Sequence, residues 1–304
     1  QDWNTFYHRC YLPVMSISDG RVVVVTGAGQ GIGRAHALAF AADGACVVVN
    51  DVGEAADAVT AEITATGGSA VACRADVSDW DDAARLVRTA VDSFGRLDAL
   101  VNNAGLVRDR MLVNMSEQEW DLVLKVDLKG HFCPLRHAAA YWRDAAKAGD
   151  PIEARVVNTS SGAGLMGSVG QGNYSAAKAG VVALTQVAAA EMARYGITVN
   201  AIAPAARTPM TEKVFAETMA KPESGFDPMA PENVSPLVVW LASAESGDVT
   251  GRVFEVEAGV IRAADGWQHG PAADKGARWE PYEVGDVVRR LMKEAPEQVR
   301  PYGA

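Results

Sequence analysis

The sequence is poor in the features that mark membrane proteins and nucleic-acid-binding proteins. No apolar run approaches the ~20 residues needed to cross a bilayer. The 28 basic side chains are outnumbered by 38 acidic ones, which gives a formal net charge of −10. Nucleic acids and anionic membrane surfaces both select basic patches, so neither is predicted as a partner. An anionic small molecule remains compatible with this charge, because it needs only a local cradle of donors.

Cysteine is scarce, and its four residues are scattered along the chain. Cys10, Cys46, Cys73 and Cys133 form no CxxC pair, and the five histidines fall at no spacing typical of a metal site. Free thiols in a reducing compartment are therefore favoured over disulfides and over metal ligation. We expect a cytoplasmic protein that holds no metal.

The first fifteen residues, QDWNTFYHRCYLPVM, lack the uninterrupted apolar stretch of a signal peptide. Polar residues interrupt this stretch repeatedly, and Met15 immediately precedes the first part with a folded pattern. We expect residues 1–14 to be an extension upstream of the folded domain.

Strand-like and helix-like segments alternate along most of the chain. Continuous β-branched runs indicate strands buried on both faces, and hence a parallel sheet flanked by helices. The strand-like runs are 21–27, 45–51, 70–77, 97–105, 154–161, 197–204 and 251–259, and the last of these is predicted to be the final strand. The helix-like segments include 32–44, 54–66, 79–94 and 173–195, and Ser116 with Glu119 predicts a capping box. The pattern predicts a single α/β domain over residues 15–261, a doubly wound parallel sheet of the Rossmann type.

A glycine-rich turn lies between the first predicted strand and the first predicted helix. In TGAGQGIG at 26–33, Gly27, Gly31 and Gly33 let the backbone turn sharply and approach a pyrophosphate at the helix start. Asp51 ends the next strand, where a carboxylate can bind both ribose hydroxyls of adenosine and repel a 2′-phosphate. The sequence predicts a dinucleotide site that prefers NAD to NADP. The alternative is that Asp51 caps the following helix.

The stretch TSSGAGLMGSVGQGNYSAAK at 159–178 contains a candidate proton-transfer group. Tyr174 and Lys178 are spaced i and i+4, so on a helix their side chains share one face. A free tyrosine titrates near pH ~10, and a neighbouring ammonium together with an oxidised nicotinamide ring can lower that value. Tyr174 could then exchange a proton with an alcohol during hydride transfer, while Ser161 hydrogen-bonds the substrate oxygen. The alternative is an ordinary helix with a half-buried tyrosine and a solvated lysine.

Taken together, these motifs resemble the short-chain dehydrogenase/reductase family. The resemblance rests on the G-x-x-x-G-x-G turn, on NNAG at 102–105 and on Tyr174-x-x-x-Lys178, and it runs from about residue 18 to 260. It implies a nicotinamide cofactor, a homodimer or homotetramer, and a lysine that holds the nicotinamide ribose. The cofactor-binding residues it implies are Gly27, Gly31, Ile32, Gly33, Asp51, Asp76, Val77, Asn103, Ala104, Gly105, Tyr174, Lys178, Pro204 and Thr208.

Three members of that set have a specific place in the resemblance. Asp76 is expected beside the adenine, Pro204 is expected to turn the chain after the sixth strand, and Thr208 is expected to bond the nicotinamide carboxamide. Two alternatives stay open: Asp76 could cap the helix that starts near residue 79, and Thr208 could cap a turn.

One position departs from the family pattern. The family commonly has an asparagine in N-x-x-G on the preceding helix, where it positions a water in a proton relay. Here VDLKGHF places Asp127 at that position. A carboxylate could bind the water or accept a proton, and it could instead pair with Lys178. Asp127 is therefore a candidate catalytic residue beside Ser161, Tyr174 and Lys178.

Further stretches resemble one branch of the family, the (3R)-hydroxyacyl-CoA dehydrogenase unit of peroxisomal multifunctional enzymes. VNNAGLVRDRML, GQGNYSAAKAG and FEVEAG carry that resemblance. It implies NAD-dependent oxidation of a secondary alcohol on a bulky, lipid-like substrate, first of all a (3R)-hydroxyacyl-CoA, including one with a steroid-derived acyl group. The alternatives are a free hydroxysteroid dehydrogenase, a 3-oxoacyl carrier-protein reductase and a non-catalytic NAD-binding sensor or scaffold.

Two segments and two arginines complete the predictions. Residues 205–232 contain four prolines and little periodicity, and they are predicted to form a substrate loop. Residues 262–304 are expected to pack on the core or on a neighbouring subunit, with a role in shaping the substrate site as the alternative. Arg108 and Arg110 lie near the expected cleft, where they could meet a CoA phosphate or simply be solvated.

Overall fold

The β-branched runs form one mainly parallel sheet. The computed structural model describes residues 16–209, 219–297 and 299–304, and in that part of the chain the sheet has eight strands. They are β1 (Val22–Val25), β2 (Cys46–Asp51), β3 (Ser69–Arg74), β4 (Ala99–Asn102), β5 (Arg155–Thr159), β6 (Thr198–Ala205), β7 (Val253–Glu257) and β8 (Val260–Ala263). The predicted doubly wound α/β fold is confirmed.

The order of the strands places a crevice at one edge of the sheet. The order is β3-β2-β1-β4-β5-β6-β7-β8, with β1 to β7 parallel and β8 antiparallel to β7. The sheet grows in one direction from β1 to β3 and in the other from β4 onward, so the direction reverses between β1 and β4. In such sheets ligands bind at the carboxyl ends of the strands near that reversal. The glycine-rich turn leaves β1 at this point.

Helices cover both faces of the sheet. They are α1 (Gly31–Ala42), α2 (Ala55–Ala65), α3 (Trp80–Phe94), α4 (Glu117–Val123), α5 (Gly130–Ala148), α6 (Gly162–Met166), α7 (Gly172–Met192), α8 (Ser235–Leu241) and α9 (Pro281–Glu294). Ser116 and Glu119 form both bonds of the predicted capping box at the start of α4. In the described part of the chain, no helix is long and apolar enough to cross a bilayer.

The alternation of side chains along the strands divides the core into two layers. On β1, Val23 and Val25 face a cluster that includes residues of α1, α2 and α8. Val22 and Val24 face the other cluster, which includes residues of α3, α5 and α7. Because both faces are covered, the strands are apolar throughout, which explains why they appear in the sequence as continuous runs.

The end of the sheet differs from the prediction. Residues 251–259 were predicted to hold the final strand, and this was wrong, because β8 follows β7 and returns antiparallel to it. Ala258 adopts φ 52° in the short connection. All four residues of β8 are exposed, so this strand adds nothing to the core, unlike the buried strands in the middle of the sheet. β8 also extends the sheet past residue 261, where the domain was predicted to end.

Residues after β8 contact the core only in part. No residue of α9 is buried. Further along, the Tyr302 N–H donates to the Gly167 carbonyl at 3.1 Å, and the Val169 N–H donates to the Tyr302 carbonyl at 2.9 Å. This short parallel bridge joins residues 301–304 to the segment between Ser161 and Tyr174. The predicted extension over residues 1–14 lies outside the described residues, as does Cys10.

Candidate active site

The glycine-rich turn has no room for side chains at its critical positions. Gly27 and Gly31 have φ of +60° and +55°, a conformation that favours glycine. A Cβ at Gly33 would lie 2.2 Å from the Gly27 carbonyl oxygen and 2.4 Å from the side-chain nitrogen of Asn103. The turn therefore presents bare backbone at the start of α1, where Ile32 also lies. Backbone N–H groups and the helix dipole at such a place attract an anionic phosphate.

NNAG, which follows β4, is fastened to this turn. The backbone N–H groups of Asn103 and Ala104 donate to the Thr26 hydroxyl at 2.9 and 3.1 Å. The Asn103 amide donates to the carbonyls of Thr26 and Gly27 at 3.0 and 3.2 Å. These bonds hold the ends of β1 and β4 together where the strand order reverses. Asn103 therefore helps to fix the shape of the glycine-rich turn, which we call the nucleotide turn.

Asp51 lies at the end of β2 and faces the same turn. Its carboxylate accepts the Gly29 N–H at 3.1 Å and the Gly53 N–H at 3.3 Å. The cap residue of α2 is Glu54, so the carboxylate of Asp51 is engaged by the turn and by the chain before α2 rather than by the helix itself. This is the place where an adenosine ribose would meet a carboxylate.

Asp76 and Val77 follow β3 on the same edge. The Asp76 carboxylate accepts the Ser78 hydroxyl at 2.6 Å and the Ser78 N–H at 2.9 Å. Partial burial opposes its ionisation, but these bonds and the Lys125 ammonium hold the pKa of Asp76 below its usual range. Asp79, not Asp76, caps α3, so the alternative role for Asp76 is wrong. Val77 is buried.

The two residues predicted to follow the sixth strand, Pro204 and Thr208, differ in their positions. Pro204 lies inside β6 and pairs with Val256 of β7, so the prediction that it turns the chain after the sixth strand is wrong, because the strand continues to Ala205. Thr208 lies over the turn, since a Cβ at Gly31 would be 3.4 Å from the Thr208 methyl carbon. Of the predicted substrate loop 205–232, residues 210–218 lie outside the described part, and 219–230 contain no regular element.

Ser161, Tyr174 and Lys178 converge at the carboxyl end of β5. Ser161 is the N-cap of α6, and its hydroxyl accepts the Ala163 N–H at 3.2 Å. Tyr174 lies near the start of α7, close enough to Ser161 for the serine hydroxyl to lower the pKa of the phenol. One helical turn further, the Lys178 ammonium lies 5.6 Å from the centre of the tyrosine ring. A hydroxyl, a phenol and an ammonium therefore meet in one place.

Lys178 is a buried lysine with two defined partners. Its Nζ donates to the Thr159 carbonyl at 2.9 Å and lies 3.2 Å from Oδ1 of Asp127, which is fully buried. The sequence left open whether Asp127 would pair with Lys178, and the structure contains that ion pair. Asp127 Oδ2 also accepts the Leu106 N–H at 3.1 Å. Burial raises the pKa of Asp127, and the Lys178 charge opposes that rise.

The position of Asp127 depends on an irregular helical turn. Residues Leu124–Lys129 form a π-helical turn between α4 and α5. Insertions of this kind redirect side chains and are frequent at functional sites. Gly105 lies opposite, where a Cβ would be 2.4 Å from Asp127 Oδ1. The last residue of NNAG therefore needs to be glycine to leave space for the ion pair.

The electrostatics of this group do not by themselves favour a tyrosinate. Burial raises the pKa of Tyr174 above its usual value, and the charge of Lys178 opposes this rise. The nearby carboxylate of Asp127 raises the pKa further. The ammonium alone therefore does not lower the pKa of the phenol, and a second positive charge at this place would be needed to do so.

Sequence reasoning missed several residues that shape the site. The Thr159 carbonyl holds Lys178, and only knowledge of the strand end could have identified it. His131, one turn after Asp127, is completely buried, and burial together with the Lys178 charge holds its pKa well below the usual range. Nothing in the sequence separates it from an ordinary core histidine.

The two candidate arginines differ in their partners. Arg110 pairs with Glu119 at 3.1 Å. Arg108 is exposed, and its guanidinium donates to the neighbouring Val107 carbonyl at 2.7 Å. Among the described residues, no group of three or more histidine, cysteine, aspartate or glutamate side chains could hold a metal ion.

Comparison with known proteins gives one consistent family. The model of the short chain dehydrogenase family matches residues 21–219. Hydroxyacyl-CoA dehydrogenase ChsB1 of Mycobacterium tuberculosis is 48% identical over 280 residues, which cover 89% of this chain and 88% of the relative. Peroxisomal multifunctional enzyme type 2 of Mus musculus is 43% identical over 293 residues, covering 93% of this chain and 36% of that protein. The crystal structure of a short chain dehydrogenase from Mycobacterium avium superimposes with a TM-score of 0.87 at 61% identity, covering 95% of this chain and all of the other.

Proposed function

The chain belongs to the short chain dehydrogenase family and is an oxidoreductase acting on CH–OH groups, and from this premise we propose that it oxidises a (3R)-hydroxyacyl-CoA with NAD. The observation that carries the proposal is the convergence of Ser161, Tyr174 and Lys178 at the end of β5, beside the bare nucleotide turn. The substrate class is supported by relatives named hydroxyacyl-CoA dehydrogenase and peroxisomal multifunctional enzyme.

The residues at the nucleotide turn fit a dinucleotide. Glycine at 27 and 33 lets the turn close tightly, because a Cβ at either position would overlap neighbouring backbone, and the N–H groups at the start of α1 would then bind a pyrophosphate. Asp51 would bind the adenosine ribose hydroxyls, and its charge favours NAD because it repels a 2′-phosphate. Asp76 and Val77 would line the adenine side, and Thr208 would lie near the nicotinamide. When bound, NAD would supply the hydride acceptor and a positive charge beside these side chains.

The side chains around the substrate oxygen would move and hold its proton. Tyr174 Oη would take the alcohol proton as the carbonyl forms, and Ser161 would hydrogen-bond the same oxygen. Lys178, held by Thr159 and Asp127, would stabilise the phenolate and bind the nicotinamide ribose. Asp127 would hold the lysine in position through the ion pair at 3.2 Å.

The proposal is tested by substrate oxidation followed through the absorbance of NADH. We expect the protein to oxidise a (3R)-hydroxyacyl-CoA, to discriminate against the (3S) epimer and to prefer NAD to NADP. Tyr174→Phe should reduce turnover at least ~10³-fold while leaving NADH binding intact, because only the proton-transferring hydroxyl is removed. Equal turnover of the two epimers, or unchanged turnover in Tyr174→Phe, would contradict the proposal.

The other candidate functions give different results in the same assay. A free hydroxysteroid dehydrogenase would oxidise the steroid alcohol and leave acyl-CoA untouched. A 3-oxoacyl carrier-protein reductase would use NADPH, which the carboxylate of Asp51 disfavours. A non-catalytic sensor would bind NAD without turnover, and the convergence of Ser161, Tyr174 and Lys178 argues against it.

We also propose that the protein forms a homodimer or homotetramer. Helices α5 and α7 expose Phe132 and Val187, which are 42% and 54% accessible, beside a groove that both helices line. Arg143 of α5 and Glu191 of α7 also line it, so a twofold axis could bring opposite charges together. A cytoplasmic location is part of the same proposal, supported by the free thiols of Cys46, Cys73 and Cys133.

A further inference from the structure

Three segments lie side by side next to the proposed reaction centre. They are residues 109–113, 167–171 and 301–304, and together we call them the platform. The Arg110 N–H donates to the Gly170 carbonyl at 2.7 Å, and Arg110 and Gln171 form a parallel bridge. On the other side, Ser168 forms a parallel bridge with Tyr302. Backbone bonds therefore join segments that are far apart in the sequence into one ribbon.

The platform is directly connected to Ser161 and Tyr174. Its central segment, 167–171, is part of the chain that links them. At one end Tyr302 packs against Gly162, the neighbour of Ser161, since a Cβ on Gly162 would be 2.7 Å from the Tyr302 oxygen and 3.0 Å from a ring carbon. At the other end a Cβ on Gly172 would be 3.6 Å from a Leu112 methyl carbon. The ribbon thus borders the reaction centre along its length.

The platform exposes an unusual amount of apolar surface. Its large apolar or aromatic side chains that remain accessible are Met111 at 55%, Leu112 at 74%, Val113 at 90%, Val169 at 46% and Tyr302 at 49%. Single exposed apolar residues are normal, but a group on connected segments marks a binding surface. Covering such a surface gains about 25 cal/mol for each Å² removed from water. A polar substrate would gain nothing from it.

We propose that the platform binds the acyl chain of the substrate and that Tyr302 is a specificity-determining residue. This inference rests on the proposed function, and it names the part of the chain that distinguishes long acyl groups from short ones. A lipid chain attached to a carbon at Ser161 and Tyr174 can reach the platform without leaving the surface of the protein. Tyr302 fixes the position of the segment next to Ser161, because its ring fills the space over Gly162.

The environment of Tyr302 supports a fixed position for its ring. Partial burial and the carboxylates of Glu255 and Glu257 raise the pKa of Tyr302. Glu257 is the last residue of β7, so the ring also lies near the edge of the sheet at which the site is built. Its packing on Gly162 and its bridge to Ser168 hold Tyr302 beside the segment after β5.

The test compares two substrates that differ only in chain length, (3R)-hydroxybutanoyl-CoA and (3R)-hydroxyhexadecanoyl-CoA. Val113→Asp and Leu112→Asp place a charge on the platform at highly accessible positions, so both variants should fold. We expect kcat/KM for the long substrate to fall about tenfold, chiefly through KM, while kcat/KM for the short one stays within about twofold. Met292→Asp, at an exposed apolar position on α9 outside the platform, is the matched control and should change neither value.

A pair of substitutions at Tyr302 separates its ring from its hydroxyl. Tyr302→Ala should raise KM for the long substrate by about tenfold and leave KM for the short one within about twofold, because the platform loses the apolar surface of the ring. Tyr302→Phe keeps the packing on Gly162 and should retain the chain-length preference. Thermal unfolding of both variants checks that the protein stays folded at the assay temperature.

Several results would overturn the inference. Equal losses for the short and long substrates, or no loss for either, would show that the platform does not bind the acyl chain. A change in assembly mass without a change in chain-length preference would identify the platform as a contact between copies of this chain. If the wild-type protein oxidises neither substrate, the proposed function itself is overturned. This outcome differs from that of an active wild-type protein whose platform variant loses activity equally with both substrates.

Discussion

At the residue scale, the buried pair of Lys178 and Asp127 is the feature that sets this site apart. An asparagine at position 127 would leave the lysine charge uncompensated, whereas the carboxylate 3.2 Å away neutralises much of it. Asp127 therefore opposes formation of the tyrosinate, because its negative charge raises the pKa of the Tyr174 phenol. In return its ion pair fixes the position of the lysine side chain, which is only 2% exposed.

This arrangement predicts a shift in the pH dependence of Asp127→Asn. Alcohol oxidation needs the tyrosinate, so its rate falls as pH decreases through the apparent pKa of Tyr174. Removing the negative charge lowers that pKa, and the acidic limb of the kcat/KM profile should move to lower pH by roughly one unit. The profile should be measured between about pH 5 and 10 with saturating NAD.

The control for this shift is Asp109→Asn. Asp109 also raises the pKa of Tyr174, but it is exposed, and water screens its charge. Its removal should leave the acidic limb nearly unchanged. An acidic limb that stays in place in Asp127→Asn, or moves to higher pH, would show that Asp127 does not control the phenol through its charge.

The sequence could predict the identity of the site residues more readily than their pairing. Spacing on a helix placed Tyr174 and Lys178 on one face, and the chemistry of phenol and ammonium suggested their roles. The partner of Asp127 could not be derived, because it depends on how far the π-helical turn at 124–129 rotates the side chain. The support of Lys178 by the Thr159 carbonyl was equally hidden, since backbone groups have no sequence signature.

At the element scale, the junction between β1 and α1 combines folding and function. A Cβ at Gly33 would lie 2.2 Å from the Gly27 carbonyl oxygen. Only glycine therefore allows the backbone at Gly33 to approach Gly27 closely, and this approach closes the turn. The sequence predicted this junction well, because it contains a strand, a glycine-rich turn and a helix within about twenty residues. Local patterns of this kind do not depend on distant contacts.

Gly33→Ala should therefore impair both stability and cofactor binding. Overpacking at a contact of this kind costs about 1–3 kcal/mol of unfolding free energy, and the displaced turn should weaken NADH binding at least about tenfold. Urea unfolding and a fluorescence titration with NADH measure the two effects. Gly259→Ala is the matched control, because a Cβ at Gly259 has no atom within 4 Å among the described residues; loss of NADH binding in the control alone would refute the argument.

Elements with weak apolar patterns were the ones that the sequence missed. All four residues of β8 are exposed, and the sequence predicted no strand after residue 259. α6 contains only five residues, and its start depends on the Ser161 side chain accepting the Ala163 N–H. Both elements depend on contacts with the neighbouring element, β8 on its antiparallel pairing with β7 and α6 on packing against α7. Tertiary contacts, rather than local propensity, decide such segments.

At the scale of the whole molecule, one edge of the sheet collects groups from nearly every strand. The turn after β1, Asp51 after β2, Asp76 after β3 and NNAG after β4 lie on the nucleotide side. Ser161 follows β5 and Thr208 follows β6, which brings the reacting groups to the same edge. Parallel strands make this possible, because all their carboxyl ends point one way. Fold and candidate site were therefore predicted by the same alternation of strands and helices.

The exposed surface of α5 and α7 is the part of the molecule that we propose as the contact between copies of the chain. These two helices cover the sheet on one face, and they leave Phe132 and Val187 accessible beside a shared groove. A second copy related by a twofold axis would bury both side chains and could pair Arg143 with Glu191 across the contact. The platform is formed by other segments of the chain. If the contact between copies is confined to α5 and α7, assembly leaves the proposed acyl site accessible.

Val187→Glu tests this assembly directly. In the assembly, a carboxylate in the centre of the contact would be removed from water and would have no basic partner. We therefore expect the protein to dissociate, so that its mass falls at least twofold at micromolar concentration. Sedimentation equilibrium or light scattering measures the mass, and circular dichroism checks that the monomer stays folded. Val113→Asp on the platform is the control and should keep the wild-type mass. If Val113→Asp dissociates the protein and Val187→Glu does not, copies meet through the platform, and the acyl chain must bind elsewhere.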